Sequence, residues 1–120
     1  MRRARTRSER GSMTVVFIAV VVLGLALTAG AARLGSALVA RARADAAADA
    51  AALAAADMLA LGRGSDAAAT AARETASANG GTLVQCECAG RDALVVVEVA
   101  ARGIFAPPAQ GRARAEVRME

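Results

Sequence analysis

From Met13 to Ala32 no position is charged and nearly all are apolar, so no polar face interrupts the run. These twenty residues would rise about 30 Å as an α-helix, the thickness of a bilayer's hydrocarbon core. Val15, Val16, Ile18, Val20, Val21 and Val22 are β-branched and argue weakly against helix in water. In lipid the backbone has to satisfy its own hydrogen bonds, so helix wins. The pattern predicts a transmembrane helix over residues 12–32.

The next segment, "RLGSALVARARADAAADAAALAAADMLALGRG", contains no proline and is dominated by alanine, the strongest helix former. It predicts an Ala-rich extension over residues 33–61, stopped by Gly62 and Gly64. Gly35 inside it costs only about 1 kcal/mol against alanine, and a helix unbroken from residue 13 to 61 would be about 73 Å long. Leu34, Leu38, Leu53, Met58, Leu59 and Leu61 form no single stripe, and alanine fills most other places. Such a helix buries little area alone but can lie very close to a neighbour. Arg41, Asp45 and Asp49 share a face at steps of four. The Arg–Asp pair attracts and the Asp–Asp pair repels, each by a few tenths of a kcal/mol. Ser65, as N-cap, opens a second helix over residues 65–79 that ends at Asn79-Gly80-Gly81.

After Gly81 the period changes to two. In "TLVQCEC" the alternation puts Val84, Cys86 and Cys88 on one face and Gln85 and Glu87 on the other. In "ALVVVEVAAR" it separates Val95, Val97 and Val99 from Val96 and Glu98, with "AGRD" (Ala89 to Asp92) as the hairpin turn. Beyond the break at "FAPPAQG", Ala113, Ala115, Val117 and Met119 alternate with Arg112, Arg114, Glu116 and Arg118. The fold class expected is α+β. A long N-terminal transmembrane and Ala-rich helix and a short second helix precede a small three-stranded antiparallel sheet over residues 82–119, charged on its outer face and covered on one side.

Charge decides the orientation. Of the net +4, all lies before Ser12, where Arg2, Arg3, Arg5, Arg7 and Arg10 outweigh Glu9; the ten arginines after it are matched by ten carboxylates. Residues 1–11 therefore read as an Arg-rich cytoplasmic leader, and residues 33–120 fall outside the cytoplasm. The basic tail has no aromatic residues beside it to stack bases, so nucleic acid is not an expected partner. A cleaved signal peptide is the competing reading, because "TAGAA" (Thr28 to Ala32) offers small residues, but the apolar run exceeds the usual signal core. Within the run, Gly24 with Thr28 and Ala26 with Gly30 place small groups four apart, the spacing that lets helices approach closely in a membrane.

The candidate chemistry is sparse. There is no His, Trp or Tyr, so neither a Ser-His nor a Cys-His pair can form. No glycine-rich phosphate loop follows a strand, and the helical carboxylates have no oxygen-rich loop around them to cage a cation. No enzyme, cofactor or metal is expected. Cys86 and Cys88 are the only thiols. Residues two apart on a strand lie about 6.5–7 Å apart at Cα, near the limit for a bridge. A bond between them needs a bend or bulge; the alternatives are an intermolecular disulfide or two small buried hydrophobes.

The motifs "ERGSMTVVF" (Glu9 to Phe17), "RARADAAADAAALAAAD" (Arg41 to Asp57) and "GGTLVQC" (Gly80 to Cys86), in this order, resemble the TadE/TadG-like minor pilins of tight-adherence (Flp-type) pili. The nearest likeness is to the actinobacterial TadE-like group encoded beside secretion ATPase and helicase genes. The resemblance implies a single-pass protein of the cytoplasmic membrane, a structural or accessory subunit of a pilus or secretion apparatus. Its implied partners are other pilin-like subunits and the assembly machinery. It also implies a prepilin peptidase cutting after Gly11, so that Ser12 becomes the mature N-terminus with the apolar stem intact. Many pilins carry Glu at the fifth mature position; here that position is Val16. This departure fits a minor or accessory subunit, since a carboxylate in lipid is costly unless paired. The alternative function is a membrane-tethered or secreted binding module that uses the sheet as its face.

Overall fold

The computed structural model describes residues 2–103 and 106–118, with side chains described from Gly11 onward. The chain is α+β: helices α1 (Arg2–Ala60) and α2 (Ser65–Ala78) precede strands β1 (Thr82–Ala89), β2 (Asp92–Val99) and β3 (Ala109–Glu116). Met119, expected to point inward, and Phe105, in the linker before β3, lie outside the described residues. The chain divides into two units, residues 1–35 and residues 36–120.

Among its described residues the first unit is helix alone. The helical backbone begins at Arg2, upstream of the apolar run, and is not interrupted at Gly35. In the second unit the helix continues to Ala60 and ends in a Schellman motif. Arg63 N–H donates to Met58 O and Gly62 N–H to Leu59 O, both at 3.0 Å, with Gly62 at φ 68°. The same device ends α2, where Gly81 N–H reaches Ala76 O at 2.8 Å and Gly80 N–H reaches Ser77 O at 3.0 Å. The α2 entry differs from expectation. Ser65 is the first helical residue and Gly64, at φ 91°, is the N-cap, with no side-chain cap hydrogen bond. Glycine accepts that backbone conformation at little cost, so it takes the flanking position and Ser65 moves into the first turn.

The sheet order is β1-β2-β3, antiparallel throughout. β1 and β2 join through a two-residue turn, Gly90-Arg91, with Gly90 at φ 63°; type II′ hairpins place glycine at that first position. In β2, Ala93, Val95, Val97 and Val99 are buried facing the helices. Val96 points to the other face but is only 6% exposed. It sits on the central strand between Gln85 and Arg112, its paired neighbours.

The expected faces of β1 are only partly right. The register shifts between Leu83 and Gln85, so Val84 is an extra residue in a bulge. Leu83 instead packs on the core with Cys86, and Val84 is exposed. A bulge reverses the alternation upstream of it, which moves Val84 off the cysteine face.

The core of this unit is almost all alanine and valine. Ala44, Ala47, Ala48, Ala51, Ala52 and Ala55 of α1 and Ala68, Ala72 and Ala76 of α2 are buried, and Val95 and Val97 are its largest fully buried side chains. Each methyl contributes little, about 0.8 kcal/mol per buried carbon on the transfer scale. The layers must therefore approach closely, and Gly111 and Gly81 permit this. A Cβ at Gly111 would collide with the Ala44 carbonyl, and one at Gly81 with Val97 Cγ1.

Candidate functional site

The first candidate site is the stem. Residues 13–32 lie in helix and every one is exposed; Phe17, for example, is 70% exposed. The helix from Gly11 is long and apolar enough to cross a membrane, and none of its most apolar window is buried within the protein. An apolar surface on all sides of a helix is what lipid or neighbouring helices would cover.

The small residues expected to pack helices are open: a Cβ at Gly24 or Gly30 would meet nothing within 4 Å. Thr28 Oγ1 donates to Gly24 O at 2.8 Å, so its hydroxyl is satisfied within the helix and needs no partner in an apolar surrounding. At 100° per residue, Gly24 and Thr28 share one side of the helix while Ala26 and Gly30 fall near the opposite side. The helix thus offers two separate small-residue faces instead of one. Gly11 and Ser12, the expected processing step, lie in α1 and are exposed.

The second candidate is the thiol pair. Cys86 and Cys88 are joined as a disulfide, with Cα atoms 5.4 Å apart. That spacing is shorter than a regular strand allows for residues two apart, so β1 is locally contracted. Cys88 is 6% exposed and belongs to the core cluster with the α2 alanines; Cys86 packs at its margin. The disulfide fills space beneath α2, where the helix–sheet core has few large side chains.

The charged groups sit on outer surfaces. Arg41 Nε and Asp45 Oδ2 are 3.7 Å apart and largely exposed, the attraction expected from their spacing. On the sheet, Arg114 grips Asp92 with two hydrogen bonds, Nε to Oδ1 at 2.9 Å and Nη2 to Oδ2. The bond from Arg114 holds the Asp92 carboxyl below its ordinary range; partial burial works against this, and the Arg114 charge adds to the lowering. Asp92 faces Glu116 across the ladder, so the pair with Arg114 is diagonal. No alternation pattern reveals it until the register is known. Among the described residues, no three His, Cys, Asp or Glu side chains converge as metal ligands would.

Residues 11–58 match the family model described as putative Flp pilus-assembly TadE/G-like. The match covers the stem and most of the Ala-rich helix and ends before α2 and the sheet. Over that segment the chain is TadE-like, and the family it matches is one of pilus assembly. No curated protein and no solved structure matches the chain.

Proposed function

We propose that this chain is a single-pass, pilin-like membrane subunit, structural or accessory, of a tight-adherence pilus or a related secretion apparatus. The observation that carries the proposal is the apolar helix around Met13–Ala32, exposed on every side, within the segment that is TadE-like. Its working parts are the stem over residues 12–32 and the Ala-rich extension over residues 33–61, which present helix surface to neighbouring subunits. The Arg-rich leader over residues 1–11 stays in the cytoplasm until a prepilin peptidase removes it after Gly11. The second helix (65–79) and the sheet (82–119) lie outside the cytoplasm, and the small-residue pairs Gly24/Thr28 and Ala26/Gly30 contact other helices in the bilayer. Val16 in place of the usual Glu suits an accessory subunit whose entry into the filament core is not registered by a carboxylate. The non-enzymatic reading rests on the family match and on the absence of His from the sequence.

Co-expression with the components of a tight-adherence pilus-assembly system tests the reading. The expected result is a chain that resists carbonate extraction, whose C-terminal segment is protease-accessible from outside, and that co-purifies with pilus-assembly components. A soluble chain, or one that binds none of them, refutes it.

A further inference from the structure

Charge along α1 is segregated. No carboxylate occurs between Glu9 and Asp45. Beyond the stem the helix carries Arg33, Arg41 and Arg43 first, then Asp45, Asp49 and Asp57 with no further arginine before Ala60. Between Arg33 and Arg41 it is uncharged, yet Leu38 is 71% exposed and Val39 51%. The unit's own core begins only at Ala40. At about 100° per residue, Leu38, Ala42 and Val39 form a strip on the side away from buried Ala40, Ala44 and Ala47, with Arg41 at one border and Arg43 at the other. An apolar strip bordered by arginines suits a lipid interface, where the apolar part is covered and the charged heads meet phosphates.

Position along the chain selects the occupant. The helix is unbroken at Gly35, so at about 1.5 Å per residue Leu38 comes about 9 Å after Ala32, Arg41 about 13 Å and Arg43 about 16 Å. The headgroup layer of one leaflet is about 5–7 Å deep. Helical side chains lean toward the N-terminus of their helix, which here is the direction of the stem. The gap that is left falls within the about 8 Å over which charges attract at physiological salt. Phosphate also suits these cations. Arg43 has no ion-pair partner among the described residues. Arg41 Nε meets Asp45 at 3.7 Å in an exposed contact, weakly held, that a charge-assisted bond to phosphate can replace.

We infer that Leu38, Val39, Arg41 and Arg43 rest on the extracytoplasmic surface of the bilayer and bind the headgroups of anionic lipids there, an inference that rests on the membrane reading above. The test uses the full chain carrying Leu38→Trp, its sole tryptophan. It is reconstituted in vesicles of phosphatidylcholine and phosphatidylglycerol, with one lipid or the other brominated to quench the emission. Brominated phosphatidylglycerol is expected to quench several-fold more than an equal amount of brominated phosphatidylcholine, since one arginine at an anionic surface contributes about fivefold. Arg41→Gln with Arg43→Gln abolishes the preference. Arg63→Gln with Arg73→Gln, an equal loss of charge at exposed positions elsewhere in the unit, leaves it intact. Leu53→Trp, further along the same helix, is quenched by neither lipid. Equal quenching by the two lipids, or a preference that survives the loss of Arg41 and Arg43, overturns the inference. So does a vesicle-bound chain whose Leu38→Trp emission is unquenched, because water or another protein then covers the strip; the membrane reading still stands. A chain that fails to float with the vesicles refutes the membrane reading and, with it, this inference.

Discussion

Gly111 of β3 rests directly on the backbone of Ala44 in α1, so close that a Cβ on the glycine would collide with the Ala44 carbonyl. Because the inward-facing residues are mostly alanine and valine, the layers must touch nearly backbone to backbone for any area to be buried. Gly111→Ala is expected to destabilise the second unit by about 1–3 kcal/mol, the usual cost of overpacking. Faster amide exchange in β2, measured on the full chain in detergent, reports it. Gln110→Ala, on the exposed face of the same strand, should stay within about 0.5 kcal/mol. Equal exchange in both variants would mean the sheet can lift off the helix freely.

The buried and exposed sides of α1 should respond differently to substitution. Ala51→Leu forces a large side chain into the buried seam and should cost about 1–3 kcal/mol. Leu53→Ser changes only the exposed side and should leave the unit's stability nearly unchanged. Thermal unfolding by circular dichroism separates the two variants, since the absence of Trp and Tyr rules out their fluorescence; equal midpoints would contradict the assignment of the buried side.

The disulfide closes a very short loop, so its entropic contribution on the chain model is only about 1–2 kcal/mol. Its removal also changes the core, because Cys88 is buried. Neither thiol should react with an alkylating reagent until reductant is added. The Cys86→Ser, Cys88→Ser double variant should lower the unfolding midpoint without abolishing the fold. Full labelling of both thiols in untreated protein would contradict the pairing.

Asp92 and Arg114 give a pH dependence of known sign. The folded carboxyl titrates below its unfolded value, so the stabilisation is fully present above about pH 4, the ordinary Asp range, and is lost as pH falls through the lowered folded value. Arg114 is largely and Asp92 partly exposed, which keeps the effect small. Carbon-detected NMR titration should find Asp92 below the ordinary range in the wild type and back within it in Arg114→Gln. No difference between the two would remove the pair from the account.

Local pattern carried much of this architecture. The uninterrupted apolar run marked the stem, and in and just after β3 the alternation of Ala113, Ala115 and Val117 with Arg112, Arg114, Glu116 and Arg118 correctly separated the two faces. What depended on contacts between distant segments was not legible. The bulge at Val84 exists only relative to β2, so alternation alone assigned that residue to the wrong face. Gly111 read as the end of the break before the last strand, whereas β3 already includes it, because its role lies against a helix many positions away. Ser65 read as the N-cap of α2, but backbone conformation gives that position to Gly64, which the sequence marked only as a stop for α1. Within the stem, Gly24, Thr28, Ala26 and Gly30 were visible as small residues, and their division between two sides of the helix follows from its geometry.

The most direct test of the central claim is the mature N-terminus, read by intact mass and terminal peptide sequencing of protein from the native membrane. A pilin-like subunit processed ahead of its stem begins at Ser12 and keeps residues 12–32. A chain beginning near residues 31–33 would have lost the stem to a signal peptidase, and one still beginning at Met1 would never have been processed; either would contradict the account.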